Sequence, residues 1–108
     1  MIYLAQSQFR VPEGLSAETW AELAEKEFQY GVQARKDGKL LGIWRIVGIN
    51  GAAMIWQADD NDEMHRLLSG LPFFPYADIT VTPLATHPSD VRLAAPAAAA
   101  AQTSPGES

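Results

Sequence analysis

The 108-residue sequence contains no cysteine and only two histidines, His65 and His87. The first absence excludes disulfides, thiolate nucleophiles and thiolate metal sites, and the wide separation of the histidines gives no metal-ligand spacing. Neither a metalloenzyme nor a thiol enzyme is expected. Basic residues are scarce too: eight Lys and Arg stand against thirteen Asp and Glu, a net charge of -5. Phosphate backbones and anionic lipid need a cationic surface, so neither nucleic acid nor a membrane is expected as a partner. No run approaches the ~20 apolar residues of a membrane span. The start, MIYLAQSQFRVPEG, lacks the basic head and long apolar middle of an export signal, which makes the cytoplasm the expected compartment.

What is present is an ordinary globular composition, 47% hydrophobic and 19% charged, with length enough for one core. Ile2 to Val11 is rich in β-formers and ends at Pro12-Glu13-Gly14, predicting a first strand. Ser16 stands as an N-cap ahead of Glu18 and Glu22, and Gly38 marks a stop, predicting a helix over 17–37. LLGIWRIVGI and AAMIWQA flank Asn50-Gly51, the dipeptide favoured in type I′ hairpin turns, which predicts two antiparallel strands. Asp59 to Glu63 offer a cap and an acidic first turn, and Met64, Leu67, Leu68 and Leu71 follow helical spacing as far as Gly70 and Pro72. LPFFPY reads as irregular, and Ala77 to Thr86 alternates as a fourth strand, with Pro83 favouring an edge.

The order βαββαβ predicts an α+β, ferredoxin-like domain over 1–91, with two helices covering one face of a four-stranded antiparallel sheet. Apolar residues run consecutively through strands two and three, so the uncovered face or edges predict self-association. Residues 92–108, with the low-complexity AAPAAAAAQTSPGES, read as a flexible tail.

The first helix carries an apolar stripe of Trp20, Leu23, Ala24, Phe28 and Gly31, with Glu27 in its middle. Positions 20, 24, 27 and 31 lie within about 60° of one another. A carboxylate facing the core loses solvation, its pKa rises, and it becomes a usable proton carrier. The competing reading puts Glu27 at the stripe's margin, paired with Arg45 or Lys26. Arg45 itself lies inside IWRIV, where a guanidinium faces solvent or meets an anion. That anion is a substrate carboxylate, Glu27 or a group of a neighbouring subunit. His65, beside the apolar face of helix two, and His87 read as hydrogen-bonded surface or interface residues. Trp44, Trp56, Phe73, Phe74 and Tyr76 supply either a pocket lining or packing.

IWRIVG and MHRLLSGLPFFPYADITVTPLATHPSD closely resemble the muconolactone Δ-isomerase family, with its LWR-I/V-x-G strand, its H-x-x-L-x-x-LP-x-FPY-x-D-I-x-V stretch and its closing HPS. The resemblance covers residues 2 to 91, and Glu27 falls where the family has a glutamate on helix one. It implies a ferredoxin-like subunit in a ring-like homo-oligomer, typically a decamer, with pockets near subunit contacts and no cofactor. The implied reaction removes the proton from the lactone carbon bearing the ring oxygen, passes through a dienolate, and returns the proton two carbons away. The product is the enol-lactone of 3-oxoadipate, in aromatic catabolism.

Such a 1,3-proton shift needs a base of raised pKa, donors for the dienolate oxygen, and a cation for the substrate carboxylate. Glu27 suits the first role and Arg45 or Lys39 the last, while Tyr76, Asn50 or backbone N–H groups offer donors and His65 is a further candidate for substrate binding. The sequence also departs from the family. Ile49-Asn50-Gly51-Ala52 replaces a polar His-Tyr-x-Asn pattern, and Leu4 and Gln6 stand where some members carry His and Lys. A more apolar pocket implies two alternatives: a relative acting on a different or chlorinated lactone, and a non-catalytic oligomer that binds a hydrophobic small molecule.

Overall fold

The computed structural model describes residues 1–90 and 92–93. Of the predicted tail only Arg92 and Leu93 are described, the Leu93 amide donating to the Ser89 carbonyl at 2.9 Å; 94–108 lie outside the described residues. The elements are β1 (Ile2–Phe9), α1 (Ala17–Lys36), β2 (Leu40–Arg45), β3 (Gly51–Gln57), α2 (Asn61–Ser69), a 3-10 turn (Phe74–Tyr76) and β4 (Ala77–Leu84). The sheet order is β2-β3-β1-β4, with every pairing antiparallel, as a ferredoxin-like fold requires. Pro83 lies on edge strand β4, where its missing donor costs no ladder bond on the open side.

Both helices begin where local chemistry places them. The Ser16 hydroxyl accepts from the Thr19 amide at 3.0 Å, and Asp60 Oδ1 accepts from the Glu63 amide at 2.8 Å. The turn between β2 and β3 differs from the prediction. It is not an Asn50-Gly51 type I′ turn, because Asn50 has no positive φ; the reversal lies at Ile46–Ile49, with Gly48 at φ +89° in the third position. Gly51 is needed for another reason. A Cβ there would run into the Ser7 carbonyl of the neighbouring strand, so only glycine lets β3 approach β1 at this point.

The side of the sheet under the helices carries Tyr3, Ala5 and Ser7 of β1, opposite Trp56, Met54 and Ala52 of β3. Tyr3 and Trp56 are fully buried and pack with Leu40, Met64 and Leu68. Burying each such side chain contributes about 1.5–3 kcal/mol or more. The Tyr3 hydroxyl donates to Asn61 Oδ1 at 2.7 Å, whereas the buried Trp56 indole N–H has no acceptor among the described residues. The far side of the sheet carries no helix among the described residues, and there Trp44 is 59% exposed and lies over Gly42. Among the described residues, no helix is long and apolar enough to cross a membrane.

Candidate active site

The buried line of α1 differs from the predicted stripe. Ala24 is exposed and Phe28 is 63% exposed, whereas Trp20, Leu23, Glu27, Tyr30, Gly31 and Ala34 turn toward the sheet. These positions recur every three or four residues, and Glu27 is central to them. Phe28 lies about 100° from Glu27 around the axis and so faces outward.

Below Glu27, α1, the segment that follows α2 and the sheet line an open-mouthed cavity of about 350 Å³. It exists because the sheet is lined there by small side chains. Ser7 pairs with Ala52 beside Gly51, so this part of the floor lacks the bulk that Tyr3 and Trp56 supply at the other end, while Phe9 packs against Phe73. Ile43, Met54, Leu71, Phe73 and Ile79 make the walls apolar. The polar side chains on the lining are Glu27, Arg45 and Ser7.

Glu27 is half-buried, and Oε1 accepts from the Phe73 amide at 3.2 Å. Loss of solvent raises its pKa, and the Phe73 hydrogen bond opposes that rise without cancelling it. Phe73 is in turn clamped by aromatic contacts, stacked on Trp20 at 4.4 Å and edge-on to Phe9 at 5.1 Å. The carboxylate is therefore held by a rigid backbone donor, and neither Arg45 nor Lys26 forms an ion pair with it among the described residues. One turn on, the Tyr30 hydroxyl donates to the Leu67 carbonyl at 2.7 Å, which ties α1 to α2.

Arg45 is the last residue of β2 rather than a mid-strand position, and it is exposed at the cavity with no carboxylate partner among the described residues. Four predicted binding residues are not on the lining. Lys39 is committed elsewhere: its Nζ lies 2.9 Å from Glu63 Oε1, and that pairing raises the lysine's pKa and lowers the glutamate's. Asn50 sits in the turn, where its carbonyl accepts from the Phe9 amide at 2.8 Å. Tyr76 packs edge-on against Trp20 at 5.8 Å, on a separate depression beside Arg10 and Asp78. His65 is exposed on α2, near Phe74, in a shallow groove on the other flank. His87 Nδ1 accepts from the Ser89 amide at 3.0 Å.

Of the predicted aromatics, Phe73 and Phe74 reach the lining, Trp44 borders it at the sheet edge with its ring over Gly42 on the far side, and Trp56 is core. Of the departures from the family pattern, Ala52 lies on the cavity floor. Leu4 and Gln6 sit on the opposite face of the sheet from Ser7, away from the cavity. Ser7 is the lining residue that sequence reasoning missed: a serine in a strand reads as a surface position, and this one is only 3% exposed. Among the described residues, no three His, Asp or Glu side chains stand together so as to hold a metal ion.

The family model for muconolactone delta-isomerase matches residues 1–90. Similar curated proteins include the muconolactone Delta-isomerase of Cupriavidus pinatubonensis, 39% identical over 92 residues, spanning 85% of this chain and 100% of that one. Another is that of Rhodococcus opacus, 38% identical over 82 residues, spanning 76% of this chain and 88% of that one. Among solved structures, a muconolactone isomerase superposes with a TM-score of 0.79 at 25% identity, covering 84% of this chain and 95% of that one.

Proposed function

The chain belongs to the muconolactone Δ-isomerase family, and we propose that it shifts the ring double bond of muconolactone with Glu27 as the proton carrier. The observation that carries this reading is a carboxylate withdrawn from water at an apolar cavity and held in place by the Phe73 amide.

The ionised carboxylate takes the proton from the ring carbon that bears the ring oxygen. The electrons of that C–H bond become the new double bond, those of the old one form a double bond between the carbonyl carbon and its neighbour, and the carbonyl π pair moves onto oxygen, giving a dienolate. Glu27, now protonated, returns the proton to the carbon next to the carbonyl, which restores the carboxylate and neutralises the oxygen. Atoms and charge balance without an oxidant, a reductant or a second substrate. The apolar walls keep bulk water from quenching the dienolate. Arg45, with no carboxylate partner among the described residues, anchors the carboxymethyl group in this reading.

We extend the reading to a cytoplasmic homo-oligomer, a decamer by family resemblance. Phe28, Trp44 and Ile43, exposed by 63%, 59% and 51%, are large apolar surfaces that suit contacts between copies. Sedimentation at micromolar concentration tests this, and a monomer there contradicts it.

The experiment for the reaction follows muconolactone consumption by ultraviolet absorbance. Glu27→Gln keeps the shape but carries no proton, and kcat falls about 10²–10⁴-fold with the fold intact. Undiminished turnover removes the mechanism. A second reading draws support from Ala52 on the cavity floor: the lactone turned over fastest carries an additional chloro or alkyl substituent. A higher kcat/KM for the substituted lactone favours it. Tight binding of either lactone without turnover favours a non-catalytic binding protein.

A further inference from the structure

The dienolate oxygen needs a hydrogen-bond donor, and both side chains predicted for that role lie away from the cavity, Asn50 in the turn and Tyr76 against Trp20. Ser7 is the uncharged polar side chain on the lining, and it is 3% exposed. Among the described residues its hydroxyl has one acceptor, the Ala52 carbonyl, at 3.4 Å. That is well beyond the ~2.7–2.8 Å of a good O–H···O bond, so the donor is nearly unused in a place where an unmade bond costs ~1–3 kcal/mol. Packing alone gives no reason for the oxygen, since alanine and glycine occupy the neighbouring floor positions Ala52 and Gly51.

The placement agrees with the shape of the substrate. Arg45, Ala52 and Ser7 form one cross-strand row, Arg45 opposite Ala52 and Ala52 opposite Ser7. Two strand spacings separate the ends of that row, about 10 Å between backbones, from which the side chains reach into the same cavity. In muconolactone the carbonyl and the carboxymethyl arm flank the ring oxygen on opposite sides. With the carboxylate on Arg45, the carbonyl end points along the row toward Ser7, and the carbon that loses its proton lies between them, under Glu27.

We propose that the Ser7 hydroxyl donates to the lactone carbonyl oxygen and stabilises the dienolate, which makes Ser7 a second catalytic residue. This role presupposes the isomerase reading above. The hydroxyl turns from Ala52 to the substrate without moving the strand, because rotation about one side-chain bond is enough. No proton leaves Ser7; the bond strengthens as charge builds on the oxygen.

The test compares wild type, Ser7→Ala, Ser7→Cys and Glu27→Gln on muconolactone, with thermal melting to confirm folding. Removing one such donor lowers kcat about 10²–10³-fold. KM, set mainly by Arg45, stays within about threefold, the pattern of an interaction made chiefly in the transition state. A thiol is a weak donor of similar size, so Ser7→Cys falls in the same way and decides the matter if the alanine variant does not fold. A kcat within about twofold of wild type in a folded Ser7 variant overturns the role, as does a change confined to KM. If Glu27→Gln is inactive while Ser7→Ala keeps full kcat, the Ser7 role alone fails. If Glu27→Gln keeps full kcat, the isomerase mechanism fails first.

Discussion

The two ends of the layer between helices and sheet are built from the same strands and serve opposite purposes. At one end Tyr3, Leu40, Trp56, Met64 and Leu68 fill the space, and the fully buried pair Tyr3 and Trp56 face each other across β1 and β3. Four residues further along β1, Ser7 and Ala52 replace that pair, and the same spacing between layers leaves about 350 Å³ empty. A carboxylate is placed over that space although burial disfavours its charge. The filled end is packed for stability, and the other end gives up packing for a cavity that suits the proposed chemistry.

Breaking the filled end has the largest effect. Trp56→Ala removes a side chain with no solvent exposure and destabilises by about 3–5 kcal/mol, read from chemical denaturation. Filling the empty end does the reverse. Ala52→Leu pushes a branched side chain into the cavity, raises KM for muconolactone at least about tenfold, and leaves the melting temperature unchanged or higher. An unchanged KM means that substrate binds elsewhere.

A third prediction concerns pH. Because the folded-state pKa of Glu27 lies above the ordinary value of 4.5, the folded protein holds that proton where the unfolded chain has released it. This contribution to stability is complete below the ordinary value and lost as pH rises through the folded-state pKa. Glu27→Gln therefore gains stability over wild type at neutral pH, and the gain disappears in acid below 4.5; denaturation series across pH show it. For catalysis the ionised form is the base, so the acidic limb of kcat/KM lies above the range of an ordinary carboxylate. The smallest effect is that of Lys39→Met, which breaks the pair with Glu63 outside the cavity and leaves kcat and KM within about twofold.

The filled end was the more legible of the two in the sequence. Ser16, Asp60 and the Met64 to Leu71 spacing are local signals, and β1, both helices and β4 stand within two residues of their predicted ends, apart from the last residue of α2. Glu27 was legible as well, because helical spacing alone turns it toward the sheet. Phe28 misled because apolar character was counted before direction. The hairpin failed at Asn50-Gly51 because the demand on Gly51 comes from Ser7, forty-four residues earlier, and no local pattern records that approach. Lys39, Asn50, Tyr76 and His65 have the right chemical type, but tertiary packing places them off the lining. Ser7 went unremarked because burial is what gives a strand serine its meaning, and burial there depends on which face α1 covers.

The most direct measurement is a carbon-13 NMR titration of the Glu27 side-chain carboxyl in the wild-type protein. The expected result is a midpoint clearly above 4.5, the ordinary glutamate value. A midpoint at or below 4.5 contradicts a carboxylate withdrawn from water and removes the basis for its role as proton carrier.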